Sequence, residues 1–248
     1  MSTFREITRK IGKDLGGKAL WTLEELIAQT STVPNTPYFE SDLFEWTKHL
    51  EHNYDEIRGE LDELLEHLDD IPNFQQISSD QKSITQDDKW KTYFLYGFGY
   101  KAEQNCGRCP KTTALIEDIP GMKTAFFSIL APGKHIPEHR GLYKGFIRYH
   151  LGLKIPRPNT LCGIKVDGET RHWEEGKSLI FDDTYQHEAW NNSDEIRVVL
   201  FMDILRPLKF PGNLLNDGIL KLVKRSSFIQ DAKKNQESWE ERFREEVA

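Results

Sequence analysis

The chain has 248 residues, 38% of them hydrophobic, which is enough to bury a substantial core as one domain with helical additions. Its 33 basic and 40 acidic residues are spread along the chain and leave a net charge of -7, which argues against nucleic acid as a partner. No stretch reaches the roughly 18 apolar residues of a membrane span, and the opening MSTFREITRKIGKDLGG has no apolar run behind its basic residues, so cytoplasm is the expected compartment.

The first region runs to about Ile77. Residues 4–28 read as an early helix weakened by Gly12, Gly16 and Gly17. Leu43, Trp46, Leu50, Tyr54, Ile57, Leu61, Leu64 and Leu65 then recur at steps of three and four. That spacing predicts one helix with a single apolar stripe packed on the main core, with Ser41 and Asp42 placed to cap it. A polar stretch over Ser78–Asp88 separates this helical region from the middle of the chain.

From Trp90 to Pro207 the period changes from 3.6 to 2, with turn residues between short apolar runs, and the expectation is an all-β module. The odd number of cysteines suits no closed disulfide framework, and the lone Cys106–Cys109 pair is expected to be reduced thiols. Strands are expected over Thr124–Leu130, Phe146–Ile155 and Ser178–Phe181. Asp167-Gly168 is a hairpin signal, and Asn191–Asp194 divides the last two strands. After Pro207 the chain returns to helix-favouring residues. The expected organisation is therefore a helical segment at 1–77, a β core at 78–210 and a helical segment at 211–248.

Two strands carry chemistry on one face. In Phe146–Ile155 the odd positions are apolar, whereas Arg148 and His150 share the other face about 6.6 Å apart. This fits either a solvent face or a jelly-roll interior that holds a polar anionic ligand. Along the last strand Arg197, Val199, Phe201 and Asp203 share a face. A guanidinium cannot lose its charge, so Arg197 asks for an anion, either a ligand or a carboxylate such as Asp182 or Asp183. Among the eight histidines, His139 and His187 stand at expected strand ends, where such cavities open. His135, in a proline-containing loop, is expected to face solvent or to support the site from outside it. His139 begins His139-Arg140-Gly141, where a mononuclear iron site of the facial-triad type would have histidine, spacer, carboxylate. Glycine cannot ligate.

The stretch from Ser128 to Pro207 resembles the aspartyl/asparaginyl β-hydroxylase family of iron(II) and 2-oxoglutarate dependent dioxygenases. The matching pieces are His139-Arg140-Gly141, Arg148 to Leu153, Trp173 to Gly176, Phe181-Asp182-Asp183, His187-Glu188-Ala189-Trp190 and Arg197. Cys109 to Thr113 and Asp203 to Pro207 further resemble the branch that includes lipid A acyl-chain hydroxylases. The resemblance implies a mainly β fold, a double-stranded β-helix (jelly-roll, cupin-like) with N- and C-terminal helices packed on it. It implies that His139 and His187 bind Fe(II), that Ser128 and Arg197 hold the distal carboxylate of 2-oxoglutarate, and that Arg148 and His150 stand near its metal end.

The lipid A branch keeps aspartate where this chain has Gly141, whereas animal aspartyl hydroxylases have glycine there and manage with two histidines and water. The implied activity is hydroxylation of an unactivated carbon, on an aspartyl or asparaginyl side chain or on a related small, peptide or acyl (lipid) substrate. A halogenase using the open Gly141 position, a non-catalytic cupin-like binding module and a protein-interaction scaffold are the alternatives. Arg140, Tyr143 and Lys144, beside His139, are candidates to meet an acidic substrate group.

Overall fold

The computed structural model describes residues 16–141 and 143–247. Among them, eleven strands form two antiparallel sheets. These are β1 (Tyr38–Phe39), β2 (Trp90–Gly97), β3 (Tyr100–Lys101), β4 (Met122–Leu130), β5 (Lys134–His139), β6 (Phe146–Lys154), β7 (Cys162–Val166), β8 (Glu169–Arg171), β9 (Ser178–Phe181), β10 (His187–Asn191) and β11 (Arg197–Leu205). One sheet has the order β1-β9-β6-β11-β4-β2-β3, the other β5-β10-β7-β8. From β4 onward the chain crosses from sheet to sheet at every connection except the β7–β8 hairpin, which makes the core a double-stranded β-helix. That hairpin turns where Asp167-Gly168 is expected to turn, with φ of 50° and 84°, the backbone a two-residue loop of this kind requires.

Alternation along the strands divides the larger sheet into two apolar layers. Ile147, Tyr149, Leu151 and Leu153 of β6 join Val198, Leu200 and Met202 of β11 on the outer face, under the helices. Phe126, Leu179, Phe181, Val199 and Phe201 face inward against Ile164, Val166 and Ala189 of the smaller sheet. Each fully buried side chain of this size contributes about 1.5–3 kcal/mol relative to exposure.

The helices are α1 (Gly16–Thr30), α2 (Trp46–His52), α3 (Tyr54–Leu65), α4 (Phe74–Ile77), α5 (Glu103–Arg108), α6 (Pro110–Glu117), α7 (Gly212–Lys224) and α8 (Ser227–Val247). Of the early helix expected over 4–28, the part before residue 16 lies outside the described residues. The helix expected through Leu43–Leu65 divides at Asn53, whose φ of -98° and ψ of 22° leave the helical region. Leu50, Ile57, Leu61 and Leu64 still bury against the outer face of the larger sheet, but Leu43 is 48% exposed and off the stripe. Ser41 and Asp42 lie in a 3-10 turn, and α2 starts after Glu45 without a side-chain cap. At the other end of the chain, Trp239 and Phe243 of α8 pack on Tyr93 of β2 at 5.8 and 6.3 Å between ring centroids.

The stretch from Trp90 to Pro207 is not all β, because α5 and α6 interrupt it. Pro110 sits in the first turn of α6, where its missing N–H costs nothing. The free amides of Lys111 and Thr112 donate to the Glu60 carboxylate of α3 at 2.8 Å each. That cap is supplied from a distant part of the chain, so no local signal announces it. All three cysteines are free and buried, with Cys106 and Cys109 inside the outer core. Asn191 is also more than a turn residue. Fully buried at the end of β10, its amide donates to Leu130, Ala131 and Glu195 carbonyls and ties both sheets to the last turn.

Candidate active site

His139 ends β5 and His187 opens β10, and the antiparallel register sets them directly opposite each other. Their rings stand 4.1 Å apart between centroids. Each Nδ1 meets a backbone carbonyl two residues earlier, Pro137 for His139 at 2.8 Å and Tyr185 for His187 at 2.9 Å. A carbonyl only accepts, so both Nδ1 atoms carry the proton and both Nε2 lone pairs are free. Burial lowers both pKa values, and His139 is pushed down to about 4 by burial and then by its neighbour His187. Both rings are thus neutral bases at pH 7. This is the protonation state a metal needs.

The place of the absent side chain at Gly141 is filled from elsewhere. A Cβ built there would lie 2.3 Å from Asp183 Cγ and from one of its carboxylate oxygens. The Gly141 amide donates to the Asp183 carbonyl at 2.7 Å, which holds the two segments together. The carboxylate is fixed by Arg148, whose Nη2 lies 3.0 Å from Asp183 and 3.0 Å from Asp203. Arg148 Nε also donates to Asp203 at 3.1 Å, and its guanidinium lies over the Phe201 ring. Asp183 favours the charged form of both histidines, which places its charge within reach of each. The sequence offers Asp183 as a possible partner for Arg197 and within the Phe181-Asp182-Asp183 match; no local pattern puts it beside the histidines.

Arg197 has a different environment. It is 2% exposed and meets no carboxylate among the described residues. Its Nη1 donates to the Ser128 carbonyl at 3.3 Å, its Nε has no partner, and its guanidinium stacks over Trp173. Burial pulls its pKa down to about 9, which still leaves it cationic at neutral pH. His150 is likewise buried. Trp173 Nε1 donates to its Nδ1 at 3.2 Å, so the proton sits on Nε2, which is buried without a partner. Burial keeps this ring neutral, reinforced by Arg197, Arg148 and His187, which together surround it. Ser128 faces Val199 across the β4–β11 ladder, and its hydroxyl accepts from Trp90 Nε1 at 3.1 Å. Unpartnered donors are costly where water is excluded. A cation and an N–H donor left open in one barrel interior therefore fit an anionic oxygen ligand.

Four other expectations resolve differently. Asp182 does not meet Arg197. It accepts from Arg206 at 2.5 Å, Lys144 at 2.6 Å and the Thr184 hydroxyl at 2.5 Å, a saturated cluster at the start of the β9–β10 turn. Arg140 pairs with Glu24 of α1, Tyr143 donates to Asn216 of α7, and Lys144 is taken by Asp182. All three are thus tied to the scaffold, and Arg140 and Tyr143 also line the cavity described next. His135 is half exposed and pairs with Glu188 on the surface, in line with its expected place outside the site.

A cavity of about 820 Å³ opens onto this arrangement. His139, Gly141, Arg148, Asp183 and Asp203 share its wall with Phe74, Phe94, Phe126, Phe146, Leu220 and Phe228. Ser128, His150 and Arg197 are buried in the barrel interior and do not form that wall. The polar stretch expected to be a simple separator contributes Ser78, Gln81 and Ile84 to it.

The fold and site together define a double-stranded β-helix protein with a histidine pair at one end of its smaller sheet and an open buried cation inside the barrel. More particularly, the chain belongs to the aspartyl/asparaginyl beta-hydroxylase family, whose profile matches residues 51–207. It is 46% identical over 220 residues to an ornithine lipid ester-linked acyl 2-hydroxylase of Rhizobium tropici, covering 89% of this chain and 78% of that protein. It is 33% identical over 195 residues to the aspartyl/asparaginyl beta-hydroxylase of Mus musculus, covering 77% of this chain but only 25% of that longer protein. Among solved structures, a Pseudomonas putida prolyl-4-hydroxylase aligns with a TM-score of 0.40 and 15% identity, over 62% of this chain and 87% of that one. The fold assignment stands on the strand order itself.

Proposed function

We propose that this chain is an Fe(II)- and 2-oxoglutarate-dependent dioxygenase that hydroxylates a carbon of a lipid acyl chain. The observation that carries the cofactor reading is the pair of open donors, Arg197 Nε and His150 Nε2, in a barrel whose end holds two neutral histidines with free Nε2 atoms. In this reading His139 and His187 hold the metal. Arg197 binds the distal carboxylate of 2-oxoglutarate, with the Ser128 hydroxyl beside it, and His150 donates to an oxygen nearer the metal. When bound, iron and 2-oxoglutarate supply oxygen activation, with the keto acid converted to succinate and carbon dioxide as one oxygen atom enters the substrate C–H bond.

The chain's own residues orient and shield. Arg148 holds Asp183 over Gly141, where that carboxylate would supply a hydrogen-bond acceptor beside the two histidines in place of a side-chain ligand. Its negative charge disfavours a halide at the same position, which supports hydroxylation over halogenation. The largely aromatic and aliphatic cavity wall and the ester-linked acyl substrate of the Rhizobium relative support an acyl chain over an acidic peptide.

Anaerobic reconstitution with Fe(II), then oxygen and 2-oxoglutarate, tests this with an ornithine lipid, an aspartyl peptide and no substrate in parallel. Lipid-stimulated succinate and a mass gain of one oxygen on the acyl chain are expected, both abolished by His187→Ala. Equal succinate in all three arms, or hydroxylation of the peptide alone, would sink the acyl assignment.

A further inference from the structure

Among the described residues, three of the four exposed large hydrophobic side chains lie in or just before α7: Phe210 at 75%, Leu214 at 61% and Leu222 at 70% exposure. Leu214, Gly218, Lys221, Leu222 and Arg225 are all exposed and, with the exposed Asp217, lie along one face of the helix. The opposite face of the same helix turns Leu220 and Val223 into the cavity wall. The helix is therefore apolar on both sides, with only one of them covered by protein.

The charge of the segment that carries this strip runs against the rest of the chain. The whole sequence has a net charge of -7, yet between Lys209 and Ser226 four cations (Lys209, Lys221, Lys224, Arg225) stand against Asp217 alone, a balance of 4 - 1 = +3. Lys224 turns back over the Tyr100 ring, whereas Lys209, Lys221 and Arg225 are exposed. Apolar side chains interleaved with long cations on one helical face suit the boundary of an anionic bilayer, where hydrocarbon takes the former and headgroups the latter. A protein partner suits it less well. Cations interleaved with so few apolar side chains leave no charge-depleted apolar centre of the kind a stable protein interface has.

We propose that the outer face of α7, with Phe210, is a docking surface for an anionic lipid bilayer. Resting on the acyl-hydroxylase reading, this gives the cavity its access to substrate: one helix, about 10 Å thick, separates the bilayer from the cavity wall. Lipid would be taken from the membrane in which it resides.

The test separates docking from turnover. Flotation of the full chain, without iron or 2-oxoglutarate, is measured with phosphatidylcholine vesicles that contain or lack phosphatidylglycerol. Binding to the anionic vesicles alone is expected. Phe210→Ser, Leu214→Ser and Leu222→Ser combined should weaken it by about tenfold or more. Lys209→Glu, Lys221→Glu and Arg225→Glu combined should do the same, since each cation at an anionic surface is worth about fivefold. Both variants should melt with the wild type and turn over detergent-dispersed lipid normally, but lose turnover on vesicles. Variants that float like wild type, or a wild type that does not float, would overturn the docking surface and leave the hydroxylase reading intact. Floating without turnover on any lipid would sink the hydroxylase reading instead. A sedimenting dimer that the serine variant dissociates would assign the face to a second copy and end the proposal.

Discussion

Two buried charged regions sit within the same barrel and are built on opposite plans. At the β9–β10 turn, Arg206 and Asp182 are both fully buried and saturate each other, with Lys144 and Thr184 taking the remaining carboxylate positions. At the start of β11, Arg197 is nearly as deeply buried but among the described residues meets only a carbonyl and an aromatic face. The first region is a closed structural clamp that fixes the segment between Asp183 and His187. The second leaves a cation with no counter-charge among the described residues. Burial alone does not distinguish a structural charge from a ligand-binding one; what does is whether the counter-charge is already present.

Removing one member of the closed cluster should have the largest effect on stability. Asp182→Ala leaves the buried cations Arg206 and Lys144 without their carboxylate and should cost about 3–5 kcal/mol in urea unfolding. A loss below about 1 kcal/mol would show that the cluster is solvated and not closed. Arg197→Met should do the reverse. It should leave the metal-free protein as stable as wild type or more so, yet weaken 2-oxoglutarate binding by about 30-fold or more, since truncating a buried charged partner costs about 2–5 kcal/mol. Calorimetric titration and the ligand-induced rise in melting temperature read this directly. If Arg197→Met destabilised the protein as Asp182→Ala does, the two regions would be alike and the contrast would fail.

A smaller effect is expected at the histidine end. Gly141→Ala places a methyl group 2.3 Å from the Asp183 carboxylate, so Asp183 must shift, at about 1–3 kcal/mol of stability. In an Asp183→Ala background the same substitution should be nearly free, and a double-mutant cycle measures the coupling. Additive effects would mean that Asp183 does not fill the space above Gly141. The smallest change lies away from both regions. Tyr54→Phe removes the hydroxyl that donates to the Leu153 carbonyl at 2.9 Å, costing about 1 kcal/mol of stability with turnover unchanged.

Much of the barrel is legible because strand alternation is a local property. Odd and even positions of Phe146–Lys154 divide cleanly between outer core and interior, and Asp167-Gly168 turns where its φ requirement says it should. Helix boundaries are less legible where tertiary partners set them. Asn53 breaks a continuous apolar stripe, and Glu60 caps a helix fifty residues further on. The exposure of Leu214 and Leu222 is hidden for a related reason: an apolar residue at helical spacing reads as core until the structure shows which face is covered.

The sequence by itself determined that Arg148 and His150 share a face, that Arg197 begins an apolar strand in need of an anion, and that Gly141 carries no ligand. Periodicity and side-chain chemistry suffice for each of these. Only the tertiary structure decided which charges meet. Strand register brings His139 opposite His187, and the β9–β10 turn delivers Asp183 to Gly141 and Asp182 to Arg206. Among the described residues, Arg197 is left without an anion by the same arrangement. Pairings between residues tens of positions apart depend on how the sheets close on each other, and no local pattern encodes that.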